Sequence, residues 1–437
     1  MTDSVNKKVL IITYYWPPSA GGGVQRWLKF SKYLPEYGWE PVIFTPENPD
    51  FDLKDESLTK DVSPQIEVLK FPIWEPYSIF KKISGRKELK QGQVLEGGKK
   101  GLLSKLAIWL RGNVFIPDPK VFWAKPSVDY IATILESNNI QTIVTTGPPH
   151  SMHLIGLKLK MKNPAITWVA DFRDPWSKWD ILQKFNMTAL VWRKHKNLEQ
   201  QVIRAADCVL TVSESWKNDF EDLGARRVKV ITNGFDEEDF KASVSVPSSD
   251  KFRISHVGML NVFRNPEWFW KALNEMVAAN EFDEDLEIEF VGILSDDVMA
   301  TFRAYAHLVP LIQKYNYLPH TEVLEKYRKS SVLLLLQNNS GNAKGHLPGK
   351  FFEYLGADRK ILCIGNKESD LAEILNRTKS GTVFEQTDAD QLKTFLREAY
   401  QDWKNGNLNS NAEGISEFGR RSLTKKLSEL LNTLGTR

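Results

Sequence analysis

Short runs of apolar residues alternate along the chain with longer stretches in which apolar positions recur every three or four residues. Continuous apolar runs are typical of strands buried in a parallel sheet, and the longer pattern is typical of amphipathic helices. The alternation predicts an α/β fold built on doubly wound sheets. In the first half of the chain the predicted strands are residues 8–14, 41–45, 141–146, 166–170, 207–212 and 228–231.

The same alternation starts again after a small, polar, proline-containing stretch at residues 241–251, which is the predicted linker. A length of 437 residues also exceeds what one hydrophobic core usually holds. We therefore predict a first domain at residues 1–240, a second at 252–410, and a final helical segment at 411–437 that could pack on either domain. The predicted strands of the second domain are residues 252–257, 286–291, 331–337, 360–364 and 381–384.

Composition and charge exclude several function classes. The formal net charge of +3 is too small for nucleic acid to be the main partner. No run approaches the roughly 18 apolar residues that a membrane span needs, and the first residues lack the apolar core of a signal peptide. Cys208 and Cys363 lie far apart in sequence, each within an apolar run. This pattern is typical of buried, reduced thiols. We expect a cytoplasmic protein.

A basic segment at residues 81–111 interrupts the α/β pattern, inside a predicted insertion at residues 77–125. It holds nine basic and two acidic residues, a local net charge of +7, and includes an apolar helical stretch carrying Trp109. Basic residues beside an apolar face with tryptophan are recruited by anionic membrane surfaces. The alternative is a solvated loop followed by one core helix.

The loop after the first predicted strand contains Gly21, Gly22 and Gly23, directly before a predicted helix. Glycines at a helix amino end let backbone N–H groups approach an anion or a sugar, and the helix dipole favours negative charge. A dinucleotide-binding fingerprint would need another glycine three residues after Gly23, where Arg26 stands. The loop therefore predicts that the backbone approaches a ligand closely, and that this ligand is not NAD.

Two further strand ends in the first half carry polar side chains. His150 stands in a GPPH turn and is expected at the same sheet edge as the glycine loop. Asp171 opens the DFRDPW stretch, where it either holds an acceptor hydroxyl or braces the loop. For Arg173 and Asp174 we favour bracing.

In the second half, Arg264 lies just before a helix that Pro266 is expected to begin. The helix dipole disfavours a cation there, so a bound anion such as phosphate would explain it. Lys350 and Glu353 are three residues apart and share a helical face after the buried strand. The lysine can meet a diphosphate while the carboxylate accepts ribose hydroxyls, although an ordinary surface ion pair is the alternative. No Cys/His spacing suits zinc, so no metal site is predicted.

Together these motifs resemble family-4 retaining glycosyltransferases of the GT-B fold, in the branch that makes bacterial surface polysaccharides. The resemblance covers almost the whole chain and implies two Rossmann-like domains that face each other across a cleft. It also implies a donor nucleotide on the second domain, an acceptor on the first, and a final helix that crosses back to the first. The matching stretches are YYWPPSAGGGVQR, TTGPPHS, DFRDPWS, VSES, NGFD, HVGML with RNP, and PGKFFEYLG.

The resemblance further implies roles for residues of the second domain. Glu353 would accept the ribose hydroxyls, and Arg264, helped by Lys350, would neutralise the diphosphate. The backbone near Gly258 and Met259 would donate hydrogen bonds to the same group. Many relatives have arginine where Met259 stands, which places more weight on Arg264.

In the first domain, Gly22 and Gly23 would lie close to the donor sugar and phosphate, with His150 near the sugar. Many relatives carry a second glutamate eight positions before the ribose-binding one, where this chain has Gly345. Contacts to the sugar would then come from His346 or from nearby backbone.

The implied activity is metal-independent transfer of a sugar, with retention, from a nucleoside-diphosphate sugar to a hydroxyl acceptor. The acceptor would be a glycan or a polyprenyl-phosphate-linked lipid in polysaccharide synthesis, with no cofactor. Because of the basic segment, we also expect the protein to bind peripherally to the inner face of the cell membrane. The catalytic residues would be Arg264, Glu353, Lys350 and His150. The alternatives are a nucleotide-sugar epimerase of the same fold and a non-catalytic glycan-binding relative.

Overall fold

The computed structural model describes residues 7–51, 53–75, 109–179, 182, 185–241, 250–337 and 343–435. The chain divides into two compact units, the first comprising Met1–Thr232 with Arg420–Arg437 and the second Asn233–Gly419. Most of the basic segment and residues 242–249 of the predicted linker lie outside the described residues.

The first unit contains a parallel sheet with seven strands among its described residues. The sheet order is β3-β2-β1-β4-β5-β6-β7, so Leu10 of β1 is in register with Val42 on one side and Ile143 on the other. The order reverses between β1 and β4, which makes this the topological switch point. The strands are β1 (Lys7–Ile12), β2 (Trp39–Pro46), β3 (Glu67–Phe71), β4 (Thr142–Gly147), β5 (Thr167–Phe172), β6 (Cys208–Thr211) and β7 (Val228–Val230).

The second unit contains a parallel sheet with six strands in its described part. The order β10-β9-β8-β11-β12-β13 places its switch point between β8 and β11, where Val332 is in register with Ile254. Open α/β sheets bind ligands outside the carboxyl ends of the strands at such points. The strands are β8 (Phe252–Val257), β9 (Leu286–Val291), β10 (Ile312–Tyr315), β11 (Val332–Leu336), β12 (Lys360–Ile364) and β13 (Gly381–Phe384).

Helices connect the parallel strands in both units. The described α-helices are α1 (Gly22–Tyr33), α2 (Val121–Ser137), α3 (Ser151–Lys162), α4 (Ala189–Ala205), α5 (Glu214–Asp222), α6 (Glu237–Lys241), α7 (Glu267–Ala278), α8 (Asp296–Phe302), α9 (His320–Lys329), α10 (Gly349–Gly356), α11 (Asp370–Thr378), α12 (Ala389–Lys404) and α13 (Arg420–Gly435). Within the described ranges, no helix combines the length and the apolar character that crossing a membrane requires. Both cysteines are buried free thiols.

Apolar side chains cover both faces of the first sheet, which explains why its strands are continuous apolar runs. Leu10 and Ile12 of β1 point into a core shared with α2 and α3. The alternate residues Val9 and Ile11 pack on the other face with α1 and the leucines of α13. The last helix is therefore part of the first unit.

The prediction of an α/β fold with two doubly wound sheets is confirmed, and every predicted strand is present to within two residues at either end. Two strands were not predicted, β3 and β10. Both are edge strands whose residues are exposed or half-buried, so they lack a continuous apolar run.

The predicted domain boundaries need correction. The second unit begins at Asn233, before the predicted end of the first domain at residue 240. Phe235 and Phe240 explain the shift, because a Cβ on Gly356 of α10 would come within 2.8 Å of both rings. The returning segment begins at Arg420 rather than at residue 411. Composition alone does not reveal these packing contacts.

Candidate functional site at the switch point of the second unit

Two glycines shape the carboxyl ends of the central strands in the second unit. Gly258 follows β8 with φ +115°, and Gly292 follows β9 with φ +121°. Residues with a side chain rarely adopt this region. A Cβ on Gly292 would lie 2.7 Å from the Gly258 carbonyl oxygen, and one on Gly258 would lie 3.2 Å from Lys350 Nζ. The turns can therefore approach each other and Lys350 closely. Met259 continues the same turn and is half-buried.

Lys350, the second residue of α10, reaches back to the end of β8. Its Nζ donates to the Val257 carbonyl at 2.7 Å and lies 3.5 Å from His256 Nε2. His256 Nδ1 lies 3.0 Å from the Leu334 carbonyl, which can only accept, so Nδ1 carries the proton. Burial and the Lys350 charge hold the pKa of His256 well below its usual value. The neutral His256 is thus oriented to accept from Lys350.

Three basic side chains are crowded together around this point. Burial and the charge of Arg264 lower the pKa of Lys350 to about 7. Burial, with the charges of Arg264 and Lys350, lowers the pKa of His346 to about 4. Burial also lowers the pKa of Arg264. Like charges held close together raise each other's free energy, and a bound anion would relieve this repulsion.

The amino end of α10 adds backbone donors to the same region. Its N-cap is Pro348, and no described side chain caps the first turn. A Cβ placed on Gly349 would meet no atom within 4 Å. Uncapped N–H groups and the helix dipole favour an anion at such a position.

Glu353 lies one turn after Lys350 and is held by two side chains of α9. Tyr327 Oη donates to Glu353 Oε2 at 2.8 Å, and His320 Nε2 lies 3.2 Å from Oε1. Tyr327 is 1% exposed, and burial beside the Glu353 charge raises its pKa well above the usual value, so it remains a donor. These two contacts orient the carboxylate, which has about four lone-pair sites in total.

The glycine loop of the first unit is open on one side. Gly21 adopts φ +91°, and a Cβ on Gly21 or Gly22 would meet nothing within 4 Å. A Cβ on Gly23 would lie 3.1 Å from Tyr15 and 3.3 Å from Arg173 Nη1. The first two glycines therefore leave the amino end of α1 accessible, while the third packs tightly against Tyr15 and Arg173.

Arg173 braces two strand-end loops of the first unit, as the sequence predicted. Its guanidinium donates to the carbonyls of Gly23 at 2.9 Å, Pro148 at 2.7 Å and Gly147 at 3.3 Å. Because the glycine loop and the turn before α3 are tied to the same cation, their positions are coupled. Burial raises the pKa of the neighbouring Asp174.

His150 lies at the N-cap of α3, at the same sheet edge. It is 5% exposed, stacks on Trp176 with ring centroids 5.3 Å apart, and has no hydrogen-bond partner for either ring nitrogen among the described residues. Burial keeps its pKa well below the usual value, so it is neutral. Asp118 already accepts from Ser151 N at 2.9 Å and Ser151 Oγ at 2.7 Å. The amino end of α3 thus holds a carboxylate, and His150 offers a neutral polar group.

Asp171 has no exposed surface and is surrounded by donors. Arg26 Nη2 donates at 3.0 Å, Trp27 Nε1 at 2.7 Å and Thr146 Oγ1 at 2.9 Å. Arg26, also fully buried, donates to the Thr232 carbonyl at 2.8 Å. This network favours the bracing alternative for Asp171 over acceptor binding, because no part of the carboxylate faces solvent.

The structure brings together Arg264, Lys350 and His346, and it places Glu353 one turn away on α10. Sequence reasoning missed His256, which orients Lys350, and the pair His320 and Tyr327, which orients Glu353. For His320 and Tyr327 the only sequence signal was their seven-residue spacing, which places both side chains on one face of α9.

Comparisons with known proteins agree with the sequence motifs. Residues 100–239, less than half of the chain, match the family model described as Glycosyltransferase Family 4. This match confirms the resemblance to that family. Among curated proteins no match was found.

Several solved structures are similar over nearly the full length. Sucrose-phosphate synthase from Thermosynechococcus elongatus aligns with a TM-score of 0.65 and 12% identity, over 98% of this chain and 99% of that one. Anabaena HepE, solved with UDP and glucose, gives 0.63 and 14%, over 98% and 100%. A candidate UDP-N-acetylglucosamine 2-epimerase from Listeria monocytogenes gives 0.55 and 12%, over 98% and 96%. At these identities the likeness shows the fold, which confirms two Rossmann-like domains of the GT-B type but does not separate one chemistry from another.

We expect Asp171→Asn to destabilise the first unit by about 3–5 kcal/mol, because it leaves the buried Arg26 charge without its counter-ion. Chemical denaturation measures the loss, and hydrogen exchange of the β4 and β5 amides localises it to this unit. The matched control is Asp129→Asn, which removes an exposed partner of Lys162 and should change stability little. Equal stability of the two variants would contradict the bracing role.

We expect the affinity of the second unit for sulfate to fall as pH rises from 6 to 8.5, because Lys350, with a pKa of about 7, loses its proton. The charge of sulfate is constant over this range, and both His256 and His346 are already neutral. Isothermal titration calorimetry measures the affinity. Lys350→Arg, which stays charged, should remove the pH dependence, and Lys350→Met should bind weakly throughout. A pH dependence that persists in Lys350→Arg would assign the titration to another group.

Proposed function

We propose that the protein is a glycosyltransferase that transfers a sugar, with retention of configuration, from a nucleoside-diphosphate sugar to a hydroxyl group. The observation that carries this proposal is the grouping of the Arg264 and Lys350 cations, with Lys350 one helical turn from the oriented Glu353 carboxylate on α10. A diphosphate fits the cations and the open amino end of α10, while ribose hydroxyls donate to Glu353. The family-4 match and the similarity to UDP-bound HepE support this choice of donor.

The proposed reaction breaks the bond between the anomeric carbon and the diphosphate oxygen, and its electron pair goes to the diphosphate. The acceptor oxygen forms the new bond to the same face of the sugar, and its proton passes to the departing phosphate. Negative charge grows on the leaving group, so Arg264 and protonated Lys350 stabilise the transition state more than the ground state. These cations supply the required charge themselves, and we therefore propose that no metal ion is needed.

In the first unit we assign His150 and the backbone at Gly22 and Gly23 to sugar groups. A buried, neutral imidazole without a described partner is costly unless a ligand or water meets it. A sugar hydroxyl, which both donates and accepts, satisfies either ring nitrogen. His346, whose pKa of about 4 keeps it neutral, could serve the same purpose in the second unit, where Gly345 offers no side chain.

We further propose an acceptor in cell-surface polysaccharide synthesis, either a glycan or a polyprenyl-phosphate-linked lipid, and a cytoplasmic protein that associates peripherally with the inner face of the membrane. The motifs shared with the polysaccharide branch of the family and the charge of +7 at residues 81–111 support this. The second candidate function is nucleotide-sugar epimerisation, because a candidate epimerase has the same fold.

We expect Arg264→Ala to lower the transfer rate by about 10²- to 10³-fold, the usual loss when one electrostatic contact to a developing charge is removed. The donor is first identified by thermal shift with UDP-, GDP-, dTDP- and CDP-sugars, since a ligand at 100 times its Kd stabilises the fold by about 2.7 kcal/mol. Arg397→Ala, which removes a surface arginine paired with Glu281, is the matched control.

Near-normal turnover by Arg264→Ala would refute the assignment of the site. If no nucleotide sugar stabilises the wild-type protein, the donor class is wrong. Formation of an epimerised sugar from the donor alone would favour the second candidate.

We expect Tyr327→Phe to reduce the preference for a ribonucleoside diphosphate over its 2′,3′-dideoxy analogue by roughly tenfold, because Glu353 loses a donor that orients it. Calorimetric titration of both nucleotides gives the ratio of affinities. Tyr305→Phe is the control. The Tyr305 hydroxyl donates to the backbone carbonyl of Glu267 at 3.1 Å and makes no described hydrogen bond to Glu353. A general loss of affinity with an unchanged ratio would indicate a merely structural role for Tyr327.

A further inference from the structure

A cavity of about 260 Å³ lies at the carboxyl end of β2 in the first unit, between the loops that follow β1 and β2. Small-molecule sites are concave, mostly apolar and range from about 300 to 1,000 Å³. This cavity is therefore near the lower end of that range, which suits a single small ring and excludes a peptide. Its apolar lining consists of two aromatic residues and four prolines, Trp16, Phe51, Pro17, Pro18, Pro46 and Pro49.

Backbone hydrogen bonds hold both walls of the cavity in place. On one side, Asp55 N donates to the carbonyl of Pro18 at 2.8 Å. On the other side, Glu47 N donates to the carbonyl of Phe71 at 3.0 Å. Pro18 and Glu47 both line the cavity, so its shape is a property of the folded unit.

Thr45, near the end of β2, contributes a buried hydroxyl group to the lining. Thr45 is 3% exposed, and its Oγ1 has no hydrogen-bond partner among the described residues. A buried hydroxyl that lacks a partner costs free energy. A ligand hydroxyl, which can both donate and accept, would satisfy it.

Two cations and one carboxylate complete the lining. Lys70 of β3 is in register with Thr45, so both side chains lie on the same face of the sheet. Lys54 also lines the cavity, and neither lysine has a side-chain hydrogen bond or ion pair in the described part of the chain. Glu47 is exposed and supplies the single negative charge. The surplus of positive charge favours a ligand that carries a negative charge.

We propose that this cavity binds one anionic sugar unit of the acceptor, a monosaccharide ring that carries a carboxylate or a phosphate group. Lys54 and Lys70 meet the anionic group, the polar oxygens of Thr45 and Glu47 meet ring hydroxyls, and the prolines contact the apolar C–H faces of the ring. A free inorganic anion fits less well, because it would leave the apolar wall unused and would meet the Glu47 carboxylate. Assigning the sugar to the acceptor rests on the proposed transferase function, whereas binding itself needs no donor.

The test is saturation-transfer NMR titration of the full-length protein with glucuronic acid, glucose 6-phosphate and glucose, in the absence of nucleotide. We expect at least one of the two anionic sugars to bind about tenfold more tightly than glucose, because it gains a charge-assisted hydrogen bond. The tighter of the two identifies the group as a carboxylate or a phosphate. K54M/K70M should remove this preference. The matched control is K125M/K158M, which removes two exposed lysines of α2 and α3, the helices that pack on the opposite face of the sheet.

Thr45→Val provides a second, independent variant. We expect it to weaken binding of all three sugars by roughly 2- to 10-fold, because each loses one hydrogen bond. Thermal unfolding should not show a loss of stability, since the hydroxyl has no described partner in the folded unit. A merely structural role for Thr45 would instead lower the unfolding temperature and leave sugar binding unchanged.

Three outcomes would overturn the proposal. The first is equal binding of glucose and both anionic sugars by the wild type. The second is the same preference in K54M/K70M as in K125M/K158M. The third is binding of inorganic phosphate as tight as that of glucose 6-phosphate, which would make the cavity a site for a simple anion.

Thermal shift with nucleotide sugars separates this proposal from the transferase proposal. If a nucleotide sugar stabilises the protein and none of the three sugars binds, the cavity proposal alone fails. If an anionic sugar binds and no nucleotide sugar stabilises the protein, the transferase proposal fails, and the sugar site stands without its assignment to an acceptor.

Discussion

Crowding of positive charge at the switch point is the constraint on which the chemistry of the second unit depends. The parallel strands end at one edge, and the two glycine turns leave room for Lys350 to lie against the end of β8 beside Arg264. Because the charge of Arg264 lowers the pKa of Lys350, protonation of this lysine is disfavoured in the site without an anion. Functional sites often retain such local cost, and the bound ligand offsets it.

The two units have the same strand–helix junction, but the charges at the amino end of the helix differ between them. In each, a central strand beyond the switch point leads into a helix, β11 into α10 and β4 into α3. The amino end of α10 is uncapped by described side chains and lies near cations, whereas that of α3 already holds Asp118 and presents a neutral His150. An anion suits the first arrangement and a hydroxylated group suits the second. The shared topology therefore accommodates different chemical groups through a small number of side chains.

The sequence was sufficient where the signal is local. Buried strands are continuous apolar runs, so they could be predicted, while the partly exposed edge strands β3 and β10 could not. Arg264, Lys350 and Glu353 stand at helix starts or at helical spacing, and their grouping followed from strand-end geometry. The contacts of Tyr327 and His320 with Glu353 join residues 26 and 33 positions apart, which no local pattern encodes. The same holds for Arg26 and Asp171, whose 145-residue separation made the enclosed network invisible before the fold was known.

The packing of Gly292 against the Gly258 carbonyl has a consequence for engineering. A Cβ on Gly292 would lie 2.7 Å from the Gly258 backbone oxygen, so this turn admits no methyl group without backbone movement. Both residues also have positive φ, which makes a side chain strained at either position. The backbone in this part of the molecule behaves as a fixed template. Variation that alters which molecule is accepted must therefore come from side chains around the template, with Met259 and His346 as the first positions to diversify in a library.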